Sequence, residues 1–143
     1  MKSLKRNQLI YGMTHGDFRD TNLLVEGDKL KAIIDWDDSH KDYIAQDIAV
    51  FITQFIKKGK IDKRKIKLFL KEYQKTLKLN NEEIKAIYYF TLDRLLGVVF
   101  WQSKQMKIHH NYKKKLEKDQ KIIIKDYKAL KKYGIENFIK LNT

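Results

Sequence analysis

The chain has 143 residues, 43% of them hydrophobic and 12% aromatic, which is enough apolar surface for a core of ordinary size. It contains no cysteine, which excludes disulfides and thiolate metal sites. No stretch approaches the roughly 18 uninterrupted apolar residues of a membrane span, and the N-terminal segment has no apolar run suited to a signal peptide. We therefore expect a soluble, cytoplasmic protein that has no contact with a membrane.

The net charge of +13 is distributed unevenly along the chain. Residues 1–56 have a net charge of −2, and residues 57–143 have a net charge of +15. Almost all of the positive charge is lysine, because the only arginines are Arg6, Arg19, Arg64 and Arg94. Guanidinium groups suit base edges and phosphates better than ammonium groups do. The charge therefore favours solvated helix faces over a nucleic-acid surface.

Short apolar runs between Leu9 and Asp35 are typical of β-strands. Residues 23–25 (LLV) precede the turn signal Glu26-Gly27-Asp28, and the apolar stretch 30–34 (LKAII) follows it. This order predicts a β-hairpin with a glycine in its turn.

Beyond Asp35 the apolar residues recur at intervals of three and four, which predicts helices. The first is expected over Tyr43–Lys57, with Gly59 ending it. Asp62 is expected to cap the second. The apolar face of this second helix comprises Ile66, Phe69, Leu70, Tyr73 and Leu77.

Asn80 and Glu83 have the spacing of a capping box, which predicts the start of a third helix that reaches about Ile108. Apolar residues between Leu116 and Leu130 predict a fourth. We find no repeat and no flexible linker. The pattern predicts a single α+β, mainly helical domain over residues 1–143, in which residues 1–42 contain the loop and hairpin and residues 43–143 contain about four helices.

The loop HGDFRDTN, residues 15–22, contains the residue types that phosphoryl transfer requires. Asp17 and Asn22 have the D-x-x-x-x-N spacing of a kinase catalytic loop. The predicted hairpin would bring Asp35 back beside this loop. Phosphoryl transfer depends on an oriented nucleophile and on metal ions that neutralise phosphate charge, and Mg²⁺ prefers carboxylate and carbonyl oxygens. The three side chains could therefore converge on a phosphotransfer site, although Asp17 and Asn22 alone could also be turn formers, since an isolated D-x-x-x-x-N often arises by chance.

The stretches HGDFRDTNLLV, AIIDWDD and YIAQDIAVFI resemble, in order and spacing, the catalytic core of the aminoglycoside phosphotransferase and choline kinase-like superfamily. These are small-molecule kinases whose fold is related to that of the protein kinases. The resemblance implies that Asp17 is the catalytic base and that His15 braces the catalytic loop. It also implies that Asn22 and Asp35 hold Mg²⁺ and thereby the ATP phosphates, and that Asp47 is a structural acid that ties a helix to the loop.

Kinases of this type also need a nucleotide-binding lobe with a glycine-rich loop. The sequence contains no G-x-G, and fourteen residues precede His15. We therefore expect the chain to be the C-terminal lobe of a protein-kinase-like fold without its nucleotide lobe. Mg²⁺ and ATP are expected only in a complete kinase, and the chain alone is expected to be inactive. The surface left around Leu9–Met13 is expected to be apolar and to favour a homodimer.

The acceptor is expected to be a small hydroxylated molecule, with choline, homoserine, an aminoglycoside and a sugar all open. The +15 charge of the helical part disfavours the polycationic aminoglycosides. An aromatic cluster on the third helix could surround a quaternary amine, although packing in a helical core is favoured for it. The cluster comprises Tyr88, Tyr89, Phe90, Phe100 and Trp101. Two alternatives to a kinase lobe stay open: a non-catalytic remnant that acts as a scaffold, and a basic nucleic-acid-binding module.

Overall fold

The computed structural model describes residues 4–142, which form a mainly helical α+β structure, as predicted. Two-stranded antiparallel sheets supply all the strands of this part of the chain. The strands are β1 Tyr11–Thr14, β2 Leu23–Glu26, β3 Lys29–Ile33, β4 His40–Tyr43, β5 Ile56–Lys57 and β6 Lys60–Ile61. The α-helices are α1 Ala45–Ile52, α2 Lys63–Tyr73, α3 Asn81–Ile108, α4 Lys113–Tyr133 and α5 Ile135–Ile139. None of these described helices is long and apolar enough to cross a membrane.

The predicted hairpin is present as β2 and β3, with Gly27 at a positive φ of 58° in the turn. The partner of β1 is β4, with Tyr11 opposite Tyr43 and Thr14 opposite His40. The sequence does not predict β4, because HKDY has little apolar character. The two pairings bring the loop between β1 and β2 close to the segment that follows β3.

The predicted helix caps of α2 and α3 are both confirmed. The Asp62 carboxylate accepts a hydrogen bond from the Lys65 N–H at 3.0 Å. The Asn80 side chain accepts from the Glu83 N–H at 3.0 Å, and the Glu83 carboxylate accepts from the Asn80 N–H at 2.8 Å. The other oxygen of buried Glu83 accepts from the Ile10 N–H at 3.1 Å, so this capping box also anchors the start of β1 to α3.

Two predicted helix ends are wrong. The first helix ends at Ile52 and not at Lys57, because Ile56 and Lys57 form β5 and pair with β6. The turn between these strands has positive φ at both Lys58 and Gly59, which is the geometry that favours a tight two-residue hairpin. The second helix ends at Tyr73, so Leu77 lies outside its apolar face.

The hydrophobic core is formed mainly by α1, α2 and α3, with contributions from α4 and α5. Its fully buried side chains include Ile48, Ile52, Ile66, Ile84 and Leu130. Helix α1 packs against α3, and Asp17 in the loop that precedes β2 contacts Arg94 on the side of this long helix. Short α5, which the sequence pattern does not predict, adds Phe138 to this core.

Candidate functional site

The loop from His15 to Asn22 is held in place by a carboxylate on the first turn of α1. Asp47 accepts hydrogen bonds from the backbone N–H groups of His15 at 2.6 Å and Gly16 at 2.9 Å. A carboxylate that accepts from backbone N–H groups forms charge-assisted hydrogen bonds, which are stronger than neutral ones. Asp47 therefore connects helix and loop, which is the role that the family resemblance implies for it.

The imidazole of His15 is 2% exposed and supports the loop from inside. Its Nδ1 accepts from the Asp17 N–H at 3.3 Å, and its Nε2 lies 2.8 Å from the Ile34 carbonyl oxygen. These two partners are satisfied together only by a neutral ring with its proton on Nε2. The Trp36 ring packs against it at a centroid distance of 4.7 Å. This environment suits a bracing residue that links the loop to the end of the hairpin.

Asn22 and Asp35 are brought together by the hairpin. The Asn22 carbonyl accepts from the Ile34 N–H at 3.0 Å, which places Asn22 beside the residue that precedes Asp35. The side-chain N–H of buried Asn22 donates to the Asp17 carbonyl at 2.9 Å. The orientation of the amide is therefore fixed, and its Oδ1 has one long contact, from the Thr21 hydroxyl at 3.5 Å.

Asp35 has a left-handed backbone, with a φ of 65°. This conformation is uncommon for residues other than glycine, and such strain is concentrated at functional sites. Its side chain is exposed, and no residue within 4–142 forms a hydrogen bond or ion pair with its carboxylate. An open carboxylate therefore follows strand β3 by two residues, and the neighbouring Ile34 is hydrogen-bonded to the backbone of Asn22.

These two oxygen donors fit Mg²⁺, which takes hard oxygen ligands and keeps several water or phosphate ligands. Within the described part of the chain there is no group of three or more His, Cys, Asp or Glu side chains that could hold a metal ion. A metal at Asn22 and Asp35 would therefore depend on phosphate and water oxygens for its other ligands.

Asp17 is paired with two arginines, which the sequence did not predict. Arg94 on α3 contacts its Oδ1, and Arg19 in the loop lies 2.8 Å from its Oδ2. The Asp17 side chain is 15% exposed, whereas those of Arg94 and Arg19 are 33% and 46% exposed. Each oxygen of the predicted base is therefore engaged by a guanidinium group.

Asp17 faces a cleft of about 370 Å³. Its other charged lining residues are Arg19, Asp38 and Arg94, and Trp101 of α3 also lines it. The cleft thus places the predicted base beside both positive and negative side chains, in a space of the size that small molecules occupy.

The aromatic residues of α3 do not form one cluster. Tyr88 is buried in the core, and Phe90 stacks on Tyr43 at 6.3 Å. Phe100 and Trp101 are 71% and 58% exposed, and of these Trp101 lines the cleft. Tyr89 also packs against the core. The core interpretation is therefore right for Tyr88, Tyr89 and Phe90 and wrong for Phe100 and Trp101, and the five aromatics cannot together surround a quaternary amine.

Comparisons with known proteins find similarity in the part of the chain that contains the loop and the hairpin. A family model described as the phosphotransferase enzyme family matches residues 2–75, about half of the chain. A homoserine kinase from Methylobacillus glycogenes is 28% identical over 100 residues, which cover 68% of this chain and 31% of that protein. The chain thus spans about a third of the length of this curated relative. No solved structure gives a significant match.

Proposed function

The chain belongs to the phosphotransferase enzyme family, and from this premise we propose that it forms the catalytic, acceptor-binding part of a small-molecule kinase. The reaction would transfer the γ-phosphoryl group of ATP to a hydroxyl group of the acceptor. The name of the bacterial relative makes homoserine one candidate acceptor.

The observation that carries this proposal is the position of Asp17 relative to Asn22 and Asp35. Asp17 lines the cleft, and its backbone carbonyl accepts a hydrogen bond from the Asn22 amide. Asn22 in turn lies beside the end of β3, where Asp35 is exposed. A carboxylate near the acceptor and two oxygen donors beside it are the groups that phosphoryl transfer needs from the protein.

In the proposed reaction the acceptor oxygen forms a bond to the γ-phosphorus while the bond from that phosphorus to the β–γ bridging oxygen breaks. ADP leaves with the bonding electrons, and the hydroxyl proton passes to the carboxylate of Asp17. Asn22 and Asp35 would hold Mg²⁺, which when bound neutralises charge on the phosphates. Asp47 and His15 keep the loop backbone in position through the hydrogen bonds described above.

The metal site is the sharpest test because it does not require turnover. Mn²⁺, added with ATP to the ¹⁵N-labelled protein, should broaden the amide resonances of residues 17–22 and 34–36 first. Asp35→Asn should weaken Mn²⁺ binding by at least about 10-fold, whereas Asp37→Asn, an exposed carboxylate two residues further on, should not. Broadening centred on the lysine-rich helix α4, or equal effects of the two variants, would contradict the proposal.

A further inference from the structure

Asp17, the base of the proposed reaction, is paired with two arginines in this structure. Arg94 contacts Oδ1 of Asp17 and Arg19 contacts Oδ2, so a guanidinium group lies against both oxygens that would accept a proton. These two residues are half of the four arginines in a chain with 31 basic residues. Arginine differs from lysine in presenting a planar fork that matches a carboxylate. Two guanidinium groups therefore contact one carboxylate, that of Asp17, in a chain whose other basic residues are mostly lysine.

The acceptor hydroxyl competes with Arg94 and Arg19 for the carboxylate oxygens of Asp17. A neutral or cationic acceptor that frees Asp17 brings no anion of its own to the two arginines, and Asp38 is then the remaining carboxylate among the residues that line the cleft. A carboxylate on the acceptor offers the same geometry that Asp17 now provides, and the exchange preserves the pairing of the arginines. Both guanidinium groups are partly exposed to the cleft, so an acceptor can reach them.

The same face of α3 leaves room for this group. Arg94, Gly97, Val98 and Trp101 are spaced at three, four and seven residues, so they share one side of the helix and line the cleft together. A Cβ at Gly97 would meet nothing within 4 Å, which shows open space one turn from Arg94. The cleft therefore has open space beside Gly97 of α3, next to the guanidinium group of Arg94.

On the basis of the function proposed above, we infer that the acceptor is a hydroxyl compound that also carries a carboxylate, which Arg94 and Arg19 bind while its hydroxyl group faces Asp17. The two arginines are then specificity-determining residues. Without the acceptor they pair with Asp17, and the carboxylate of the correct acceptor takes the place of Asp17 in these ion pairs.

The inference can be tested by ligand titration with NMR detection of the Arg94 side chain and the Asp17 amide. The probes are 4-hydroxybutyrate and 1,4-butanediol, which differ in the carboxylate, together with choline and inorganic phosphate. We expect 4-hydroxybutyrate to shift the Arg94 and Asp17 signals in the millimolar range, and butanediol and choline to leave them unchanged. Arg94→Gln should weaken 4-hydroxybutyrate binding by at least about 10-fold, and Arg64→Gln, an exposed arginine on α2, should not.

Two further results separate this inference from the proposed function. Gly97→Leu should fill the cleft and weaken the binding of 4-hydroxybutyrate, whereas the binding of Mn²⁺–ATP at Asp35 should not change. If Mn²⁺–ATP binds as proposed but choline, butanediol or phosphate alone shifts Arg94, the acceptor inference is wrong and the kinase proposal stands. If 4-hydroxybutyrate binds to Arg94 but Mn²⁺–ATP does not bind near Asp35, the anion site exists and the kinase proposal is wrong.

Discussion

The carboxylate of Asp47 lies 2.6 Å from the backbone nitrogen of His15, and its second oxygen accepts from the next N–H along the chain. Asp47 is in the first turn of α1, where the helix dipole stabilises a negative charge. One side chain therefore satisfies two backbone donors of a loop that has little secondary structure of its own. The position of the proposed base depends on this contact, because Asp17 follows directly.

Replacing Asp47 should destabilise both the fold and the loop. Asp47→Ala leaves two N–H groups without an acceptor, and we expect a loss of about 2 kcal/mol or more in the free energy of unfolding. Chemical denaturation measures this loss, and the exposed turn residue Asp28 supplies the matched control as Asp28→Ala. Equal stability of the two variants would show that water replaces the Asp47 contacts at little cost.

Gly16 is expected to tolerate no side chain. Its φ is 83°, and a Cβ at this position would overlap the carbonyl oxygen of Asp38. Gly16→Ala should therefore destabilise the protein by more than about 1 kcal/mol. Gly97→Ala is the control, since that glycine lies inside α3 with open space around it, and the change should stabilise by about 0.5–1 kcal/mol. In thermal denaturation, the melting temperature of Gly16→Ala should be lower than that of the wild type, and the melting temperature of Gly97→Ala should be higher.

Asp17→Asn should abolish phosphate transfer while the structure persists. The asparagine retains an oxygen for Arg94 or Arg19, but it cannot accept the hydroxyl proton. The measurement needs a complete kinase, in which this chain is joined to a nucleotide-binding lobe. In that protein we expect the kcat of phosphate transfer to fall by about 10²–10⁴-fold. Asp28→Asn, at the far end of the hairpin, serves as control and should have wild-type kcat. Unchanged turnover in Asp17→Asn would remove Asp17 from the role of base.

Local signals made much of this site predictable. Asp17, Asn22 and Asp35 lie in short motifs joined by a predictable hairpin, so the sequence predicts that they come close together, whereas the role of Asp47 is implied by the family resemblance. Arg94 could not be found in this way, because it lies 77 residues from Asp17 and contacts it only through the packing of α3.

The errors at the helix ends also have a physical cause. Ile56 continues the three-and-four spacing of α1, so periodicity alone extends the helix through it. What ends the helix is the tight turn at Lys58 and Gly59, which returns the chain to pair Ile56 with Ile61. Lys-Gly is a weak turn signal compared with Asn-Gly, and so the short hairpin was not predicted.

The predicted homodimer is untested by this structure and stays a prediction. Leu9 is buried, but Tyr11 and Met13 are 60% and 63% exposed on the outer face of β1, and Val25 on β2 is 60% exposed. Since a second copy could bury this surface, we expect concentration-dependent association in sedimentation equilibrium at moderate salt. Met13→Lys should abolish it, and Leu68→Lys, on the exposed side of α2, should not. A monomer at all micromolar concentrations would contradict the prediction.

Asp126 should make stability depend on pH. Its side chain is 5% exposed and accepts a hydrogen bond from the Gly59 N–H, which joins α4 to the hairpin of β5 and β6. Burial raises the pKa of this carboxyl above its ordinary value of 3.8, and the Gly59 bond offsets only part of that rise.

A raised pKa in the folded state means that folding favours the protonated form. The resulting stabilisation is complete below the pKa of the unfolded chain and is lost as the pH rises through the folded-state pKa. Asp126→Asn keeps an oxygen for Gly59 and removes the titration. The free energy of unfolding of the variant, relative to that of the wild type, should therefore increase as the pH rises above about 4. Denaturant titrations at several pH values would measure this difference. A constant difference would show that folding leaves the pKa of Asp126 unchanged, and a decreasing one would show that the Asp126 carboxylate is stabilised in the fold.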